Sequence, residues 1–370
     1  MKSVNELLAD EAIRHQVDLS RYSNSVVRKI MTLLNRSDDR LFAELTSALE
    51  RLSPASFTVE RLEAVLGGVR SINAQAYELA GVELRKELQE LTAYEAAYQR
   101  MALVSVLPLQ VSVAGVAADV VYAAALARPF QGVILKGALA DLEMGKAKLI
   151  RQTIAQGFTE SKTTDQIVRE LRGTRVNGYA DGFFEGKRRD IEAVTRTALG
   201  HMAGFAQDRV VEANLDLIKA VVWSSTIDLK TSKDICIPRD GKMYTPDTHK
   251  PIGHSLPWLQ GPGRAHWCCR SAQTYVIKSH KELGIDLPEV VLPNGTRASL
   301  DGQIPAKTDF LQWANKQSAE RQDEIFGVKR GQLLRKGGLQ AKDLYSAKGQ
   351  FYTLEELKTK DAKAFEKAGL

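Results

Sequence analysis

The sequence is poor in cysteine, histidine and aromatic residues, and this scarcity limits the chemistry that it can carry. Of 370 residues, only three are cysteines and six are histidines, and the aromatic fraction is 7%. Three cysteines cannot make a complete disulfide framework, so a reducing compartment is expected. The opening residues, MKSVNELLADEAIRHQ, lack the apolar stretch of a signal peptide. We therefore expect a protein that is made and kept in cytoplasm.

Charge of either sign is also unexceptional. The chain is 26% charged and 44% hydrophobic, as in ordinary globular proteins, and its formal net charge is +6. Residues 1–100 are slightly acidic, so the excess of lysine and arginine lies after them. A dedicated DNA-binding protein usually concentrates basic residues on one face. The composition therefore permits contact with DNA in the later part of the chain but does not require it.

Long apolar runs are absent except at residues 101–127. The run MALVSVLPLQVSVAGVAADVVYAAALA contains one charge, Asp119, and reaches the length of a membrane span. Asp119 would be costly in lipid, and Pro108 argues against one straight helix. We expect a buried pair of helices broken near Pro108. The alternative is a segment that meets a membrane transiently.

Helical periodicity dominates the first part of the chain. Apolar residues recur every three or four positions over residues 26–36, 41–52 and 82–98. Capping residues predict helix starts at Ser37-Asp38-Asp39 and at Ser56/Thr58, and Ser53-Pro54 predicts a break. Further helices are predicted over residues 138–157, 163–172 and 188–214.

The pattern changes after Asn214. The β-branched segment LIKAVVWSSTI predicts a strand, short extended pieces follow as far as TYVIKSH, and Asp240-Gly241 suits a tight hairpin turn. Helices return from Thr308 and include the segment TLEELK. The fold class is therefore α+β, predominantly α, with a long helical N-terminal region followed by a small α+β C-terminal domain. The expected domains are a helical region at 1–100, a helical middle domain at 101–214 and an α+β domain with a helical tail at 215–370.

The rare residues are concentrated between Thr226 and Ser271. All three cysteines and three of the six histidines lie in this segment, which begins TIDLKTSKDICIPRDGKMY and closes GPGRAHWCCRS. The first half has a distinctive order of residues: Asp228, Thr231, Ser232, Cys236, Asp240, Gly241 and Lys242. The second half has another: Pro262, His266, Cys269, Arg270 and Ser271.

This order resembles the signature of the phage Mu F-like minor head proteins, a head morphogenesis family of tailed bacteriophages. Cys268 stands where the family usually has another residue. Residues 310–339 resemble a downstream family pattern, and RPFQG (128–132) and TRTALGHMA (195–203) resemble weaker upstream markers. The resemblance covers residues 128–357.

The resemblance implies a minor capsid or head morphogenesis protein at the portal vertex, present in several copies per particle. Such a protein would act in procapsid assembly and in packaging or delivery of the genome. Its implied partners are the portal protein, the major capsid or scaffold protein and packaged double-stranded DNA, with residues 1–100 binding the portal or capsid. It would occupy the host cytoplasm during assembly and then the virion. No catalytic role is needed. The alternative is an ejected virion protein that forms part of a DNA conduit across the host envelope, using residues 101–127.

The cysteine and histidine residues admit three chemistries. A structural Zn²⁺ site would use Cys236, His266 and Cys269, with Cys268, His254 or His249 as the fourth ligand. An enzyme would use Cys269 or Cys268 as nucleophile and His266 as base. In a purely structural arrangement, His266 and Arg270 would hydrogen-bond loop carbonyls, Trp267 with Cys268 or Cys269 would fill a core, and Asp228 and Thr231 would cap the turn before Cys236.

Basic clusters supply the candidate contacts to DNA phosphates. The segments GKRRD (186–190) and RGQLLRKGG (330–338) are rich in lysine and arginine, although the second lacks the order of a P-loop. Both segments are also compatible with solvated helix surfaces. The candidates are Arg175, Lys187, Arg188, Arg189, Lys329, Arg330, Arg335 and Lys336.

Overall fold

The computed structural model describes residues 4–51, 58–108, 110–286 and 296–370. The chain is 60% helical, with a long helical N-terminal region and a smaller part that contains the sheet. The predicted class, α+β and predominantly α, is confirmed. The predicted break at Ser53-Pro54 and the Ser56 cap lie outside the described residues, whereas Thr58 is described and accepts a hydrogen bond from the Arg61 amide.

The helices before the sheet include three long ones and four shorter ones. In chain order they are α1 (Val4–Glu50), α2 (Val59–Val65), α3 (Gly67–Val104), α4 (Ala118–Ala127), α5 (Leu135–Thr159), α6 (Thr164–Arg172) and α7 (Phe183–Glu212). The helices predicted over 138–157, 163–172 and 188–214 are confirmed by α5, α6 and α7. At α6, Thr163 forms a capping box with Gln166, and Gly173 follows the last residue.

The predicted helix start at Ser37-Asp38-Asp39 is wrong, because these residues lie inside α1, which is 47 residues long and ends at Glu50. The polar residues there serve other purposes. The Ser37 hydroxyl donates to the Leu33 carbonyl, and Asp38 is buried against Lys146. A residue type that favours helix starts is thus retained inside a helix when its side chain finds another partner.

Four antiparallel strands form the main sheet, and two more form a separate hairpin. The strands are β1 (Ile218–Ser224), β2 (Met243–Tyr244), β3 (Pro251–Ile252), β4 (Ala272–Ile277), β5 (Thr296–Ser299) and β6 (Gly302–Pro305). The order in the main sheet is β3-β2-β1-β4, and β5 pairs with β6. The strands predicted from LIKAVVWSSTI and TYVIKSH are confirmed as β1 and β4, which pair from Ile218 with Ile277 to Ser224 with Ala272.

Short helices complete the chain. They are α8 (Phe310–Asn315), α9 (Ala319–Phe326), α10 (Val328–Gln332), α11 (Leu354–Lys360) and α12 (Ala362–Ala368). The expected return of helices after Thr308 is confirmed, and TLEELK falls in α11, which Thr353 caps with Glu356. These helices enclose a core that includes Phe310, Trp313 and Phe326.

The chain divides into two compact units that are not continuous in sequence. One unit contains residues 1–20, 92–122 and 200–370, and the other contains residues 21–91 and 123–199. This division differs from the expected consecutive domains at 1–100, 101–214 and 215–370. The physical reason is that α1, α3, α4 and α7 each contribute residues to both units, so no boundary falls in a loop between helices.

Each unit has its own hydrophobic core. In the sheet-containing unit, β1 and β4 pack with residues that include Trp223, Tyr244 and Trp258. In the helical unit, Leu45, Ile154 and Phe184 belong to a separate cluster. Both cores are built from side chains that are almost fully withdrawn from solvent.

The apolar segment 101–127 is broken, as expected, near Pro108. Helix α3 ends at Val104 and α4 begins at Ala118. Asn214 pairs with both the amide and the carbonyl of Ala114, and the Arg100 side chain donates to the Val113 carbonyl, so non-helical backbone here is hydrogen-bonded. Burial is only partial, since Val113 and Val121 are buried but Val120 is exposed. Among the helices of the described ranges, none combines the length and the apolar character that a membrane span requires.

Candidate metal centre

Cys236 is positioned by a tight turn that follows β1. The amides of Cys236 and Ile237 both donate to the Ser232 carbonyl, at 3.1 and 3.0 Å, and a short 3₁₀ helix follows at Ile237–Arg239. The Ser225 hydroxyl donates to the Cys236 carbonyl at 2.8 Å. The Cys236 side chain is buried. The Thr-Ser-x-x-x-Cys part of the motif therefore directs one thiol into the protein interior.

The structure brings Cys236, His266 and Cys269 together. The Cys236 Sγ lies 3.1 Å from His266 Nε2, although the residues are 30 apart in sequence. It lies 3.7 Å from Cys269 Sγ, 33 residues away. The three ligand atoms all lie within 4.8 Å of one another. The grouping that the sequence predicted for a metal site is thus present as geometry.

A turn separates Cys269 from its neighbour Cys268. The Cys269 amide donates to the His266 carbonyl at 3.2 Å, and Cys268 adopts a left-handed φ of +56°. This conformation is unusual for a residue other than glycine. The turn places Cys269 in the interior and Cys268 at the surface. Trp267 is also exposed, so the expectation that Trp267 or Cys268 fills the core is wrong, whereas Cys269 is confirmed as a core residue.

The other candidate ligands do not join this group. Both ring nitrogens of His254 face backbone atoms: Nε2 lies 2.8 Å from the Met243 carbonyl oxygen, and Nδ1 accepts from the Leu256 amide at 3.2 Å. His249 stacks on Trp258 with ring centroids 4.6 Å apart. Among the described residues, the compact group contains no fourth histidine, cysteine or carboxylate.

The environment of the cluster favours one thiolate. The hydrogen bond from Cys236 and those involving His266 and the Ser271 amide hold the pKa of Cys269 well below its usual value, despite burial. The same sulfur–sulfur hydrogen bond, together with burial, raises the pKa of Cys236. Burial opposes charge on His266, but the neighbouring Cys269 sulfur and the Trp267 carbonyl raise the pKa of His266 overall.

Asp228 and Arg270 link the two halves of the motif beside this cluster. Arg270 donates two hydrogen bonds to the Asp228 carboxylate, at 2.6 and 2.8 Å. Asp228 also accepts from the Lys230 amide and the Thr231 hydroxyl, and Thr226 donates to the Arg270 carbonyl. Asp228 caps the turn at 228–231 as expected, whereas the Thr231 hydroxyl acts as a donor, to Asp228 and to the Thr226 carbonyl. Arg270, expected to bind loop carbonyls, instead binds a carboxylate, because Asp228 offers a planar two-oxygen acceptor.

Asp240 is the most deeply buried carboxylate of the motif, and its main partner is Arg297. Two Arg297 nitrogens donate to the buried Asp240 carboxylate, at 2.9 and 3.0 Å. The amides of Ser225 and Phe310 donate to the same carboxylate, each at 2.7 Å. Asp240 therefore connects the end of β1, the strand β5 and the start of α8. The motif indicated Asp240, but Arg297 lies outside the motif and no local sequence signal identifies it.

The turn at Asp240-Gly241 differs from the expected hairpin turn. Asp240 has φ −57° and ψ 128°, and Gly241 has φ +75°, which describes a type II turn. The turn is closed by the Lys242 amide donating to the Arg239 carbonyl at 2.9 Å. It joins the 3₁₀ helix to β2, so it does not connect two paired strands directly. Glycine is needed here because of the positive φ.

The remaining motif residues complete the local framework. Ser271 is buried, with its hydroxyl 3.5 Å from that of Ser225. Ser232 supplies the carbonyl that organises the turn at Cys236, and the Lys242 carbonyl accepts from the Trp223 amide at 2.9 Å. The motif therefore forms one connected set of contacts around β1.

The candidate DNA-binding residues are divided between the two compact units. Arg175 and Lys187 to Arg189 belong to the helical unit, and Lys329, Arg330, Arg335 and Lys336 belong to the sheet-containing unit. Several have acidic partners within one or two helical turns, including Lys187 with Asp190 and Arg189 with Glu185. Arg335 pairs with Asp323 at 2.9 Å. These contacts are typical of solvated helix surfaces.

Arg188 and Arg330 are held more firmly than the other candidates. Arg188 pairs with Asp38 at 3.4 Å. Arg330 donates to the Tyr352 carbonyl at 2.6 Å and stacks over the Phe351 ring, and burial lowers its pKa. By contrast, Arg175, Lys329 and Lys336 are exposed. Those three are the candidates most accessible to a phosphate.

Two further buried ion pairs are not indicated by the sequence. Lys146 contacts Asp38 in the helical unit, and Arg264 contacts Asp208 in the sheet-containing unit. Burial lowers the pKa of Lys146 although Asp38 opposes this effect. Lys146 lies 108 residues from Asp38 in sequence, and Arg264 lies 56 residues from Asp208. A charged residue in a helical pattern predicts a solvated face, so neither pair could have been found from local pattern.

No family model, curated protein or solved structure matches this chain. The resemblance to the Mu F-like minor head proteins therefore depends on the motif residues themselves.

Proposed function

We propose that the chain is a minor head protein of a tailed bacteriophage, of the Mu F-like kind. We also propose that its motif is structural and holds separate segments of the chain together. One observation supports this proposal above others. The residues that carry the resemblance converge around β1, with Cys236 beside His266 and Cys269, Asp228 paired with Arg270, and Asp240 enclosed by hydrogen bonds. A family signature of this kind marks a shared folded module.

Burial and hydrogen bonding favour a structural role for the motif over a hydrolytic one. A reactive cysteine is at least partly exposed to its substrate, whereas the two thiols beside His266, those of Cys236 and Cys269, are buried. The two motif carboxylates, Asp228 and Asp240, are each engaged by an arginine. They therefore serve to join segments, and we assign no catalytic step to the cluster.

The long helices are suited to a protein partner, which we propose to be the portal protein together with capsid or scaffold subunits. Helix α3 exposes Leu79 and Val82, at 56% and 53% of their surface. Helix α1 exposes Val17 at 46%. Apolar side chains exposed along long helices are compatible with helix-in-groove or ring-shaped contacts. Packaged double-stranded DNA is the second proposed partner, contacted through the exposed basic residues.

The proposal can be tested in the phage or prophage that encodes the chain. A stop codon early in the gene should give heads that lack the protein and a much lower titre of infectious particles. Complementation from a plasmid should restore both. Mass spectrometry should detect the protein in the host cytoplasm during assembly. In purified wild-type virions it should detect several copies per head. A normal titre from the stop-codon mutant, together with absence of the protein from wild-type heads, would refute the proposal.

An enzymatic function predicts a different result. Cys269→Ala and His266→Ala variants that remain folded would then assemble into normal heads but lose a chemical step. Under the structural proposal, these variants lose stability and assembly together. Circular dichroism of the purified variants, measured beside the particle yield, separates the two outcomes.

A further inference from the structure

We propose that Cys236, His266 and Cys269 bind one Zn²⁺ ion in a site that keeps a fourth coordination position for water or an external ligand. The proposal is independent of the head-protein function. It rests on three features of the cluster: the spacing of its donor atoms, the orientation of the imidazole and the number of donors.

The spacing of the two sulfurs fits tetrahedral coordination. Two sulfurs that bind the same tetrahedral zinc ion, each at about 2.3 Å, lie about 3.8 Å apart. The Cys236 and Cys269 sulfurs are 3.7 Å apart. The Cys236 Sγ and His266 Nε2 are 3.1 Å apart, slightly closer than a zinc-bridged pair at about 3.6 Å. A small rotation of the half-buried His266 ring is sufficient to admit the ion.

The imidazole is oriented as in metal-binding histidines. His266 Nδ1 lies 2.9 Å from the Trp267 carbonyl oxygen, so this nitrogen carries the proton. In the neutral, metal-binding form of the ring, Nε2 then presents its lone pair towards the two sulfurs. A metal-binding histidine almost always donates its other ring N–H to a carbonyl or carboxylate, which fixes the ring and its tautomer. This second contact is independent of the clustering of the three donors.

Charge and ligand type identify the ion. Two thiolates balance the charge of a divalent cation, so the buried site is neutral when it is loaded. Sulfur and imidazole donors in tetrahedral geometry favour zinc over magnesium, calcium or manganese. The ion would also join residues 236 and 269 across the intervening segment, which restricts that segment in the unfolded chain.

The number of donors makes the site open. Among the residues that the structure places, only these three histidine and cysteine side chains form the compact group. Cys268 is adjacent in sequence but exposed, and His254 is engaged by backbone atoms. A closed structural site has four protein ligands, whereas a site with three retains a position for water. The three described ligands therefore leave one coordination position for water or an external ligand.

Metal analysis and cobalt substitution of the full-length protein test the proposal. Wild type and Cys268→Ser should each purify with about one zinc per chain, whereas Cys236→Ser and Cys269→Ser should bind at least about 100-fold more weakly. Cys268→Ser is the matched control, since it removes a neighbouring thiol that the structure places outside the site.

Because a ligand variant can fail to fold, the cobalt spectrum of the wild-type chain provides a test of the metal site that needs no variant. The metal-free protein titrated with Co²⁺ should show intense tetrahedral d–d bands and sulfur-to-cobalt charge transfer that saturate at one equivalent. The proposal is overturned by a weak octahedral spectrum, by loss of metal from Cys268→Ser, or by a Cys236–Cys269 disulfide in protein that is purified anaerobically with reductant.

Discussion

The cysteine–histidine motif and the basic segments are both prominent in the sequence, but they have different structures. In the motif, side chains that are 30 or more residues apart meet and satisfy one another's polar atoms. In the basic segments, several side chains pair with acids within four positions on the same helix, as Arg189 does with Glu185. Convergence from distant positions requires a specific fold, whereas local pairing requires only a helix. The motif therefore marks a built site, whereas the basic segments, apart from Arg188 and Arg330, mark surface.

The largest expected effect of a single substitution is at Asp240. Asp240→Ala leaves the buried Arg297 guanidinium without its counter-charge, so we expect the free energy of unfolding to fall by about 3–5 kcal/mol. Urea denaturation followed by tryptophan fluorescence measures this change. The matched control is Asp190→Ala, which removes an exposed partner of Lys187 and should cost less than about 1 kcal/mol. Equal losses of unfolding free energy in Asp240→Ala and Asp190→Ala would show that the buried motif pair stabilises the fold no more than the exposed pair of the basic segment.

A smaller effect is expected from the half-exposed pair of Asp228 and Arg270. A double-mutant cycle with Asp228→Asn and Arg270→Gln should give a coupling free energy of about 1 kcal/mol, because two charge-assisted hydrogen bonds join the residues. Glu192 and Arg196, which form a local pair on α7, provide the comparison. Their coupling should be about 0.3–0.5 kcal/mol. A larger coupling in the helical pair would contradict the account.

DNA binding should depend on the exposed basic residues. If Lys329 and Lys336 neutralise phosphates, replacing both with alanine reduces the slope of log affinity against log salt by about 0.9 for each phosphate that is no longer neutralised. Binding to a labelled duplex at several salt concentrations measures the slope. Lys187→Ala is the control, since Asp190 already pairs with that lysine. If the salt slope changed only in Lys187→Ala, the phosphate contact would belong to Lys187 and not to Lys329 and Lys336.

The smallest effect is a local one, at Asp181 in the helical unit. The Thr174 amide, the Asn177 side chain and the Thr174 hydroxyl hold the pKa of Asp181 at about 2, below its ordinary value of 3.8. Because the folded pKa is lowered, the stabilisation is complete above the ordinary value and is lost as the pH falls towards about 2. An NMR titration of the Asp181 carboxyl should show this midpoint, and Asn177→Ala should raise it. A wild-type midpoint near 3.8 would show that these hydrogen bonds do not persist in solution.

The sequence predicted the elements better than their arrangement. The periodicity of α5, α6 and α7 and the β-branched composition of β1 are local properties, so these elements were predicted correctly. The helix start at Ser37-Asp38-Asp39 was wrong because the buried partner of Asp38, Lys146, lies more than a hundred residues away. The grouping of Cys236, His266 and Cys269 was inferred from rarity and spacing. The exclusion of Cys268 required the left-handed backbone of the turn.

The partner of Asp240 illustrates the limit most clearly. Arg297 lies in β5, 57 residues after Asp240, and its sequence neighbourhood, TRAS, gives no sign of burial. Only the tertiary fold places its guanidinium beside the motif carboxylate. A sequence motif can thus identify one side of a buried ion pair while its partner stays hidden.

The alkylation rates of the three cysteines in the native protein show directly whether Cys236 and Cys269 lie in one buried cluster that excludes Cys268. Cys236 and Cys269 are buried with their sulfurs 3.7 Å apart, whereas Cys268 is exposed. Pulse labelling with iodoacetamide, followed by peptide mass spectrometry, should show rapid modification of Cys268. Cys236 and Cys269 should be protected, and they should become reactive together as denaturant is added. Modification of either at the rate of Cys268, or exposure of the two at different denaturant concentrations, would contradict the account.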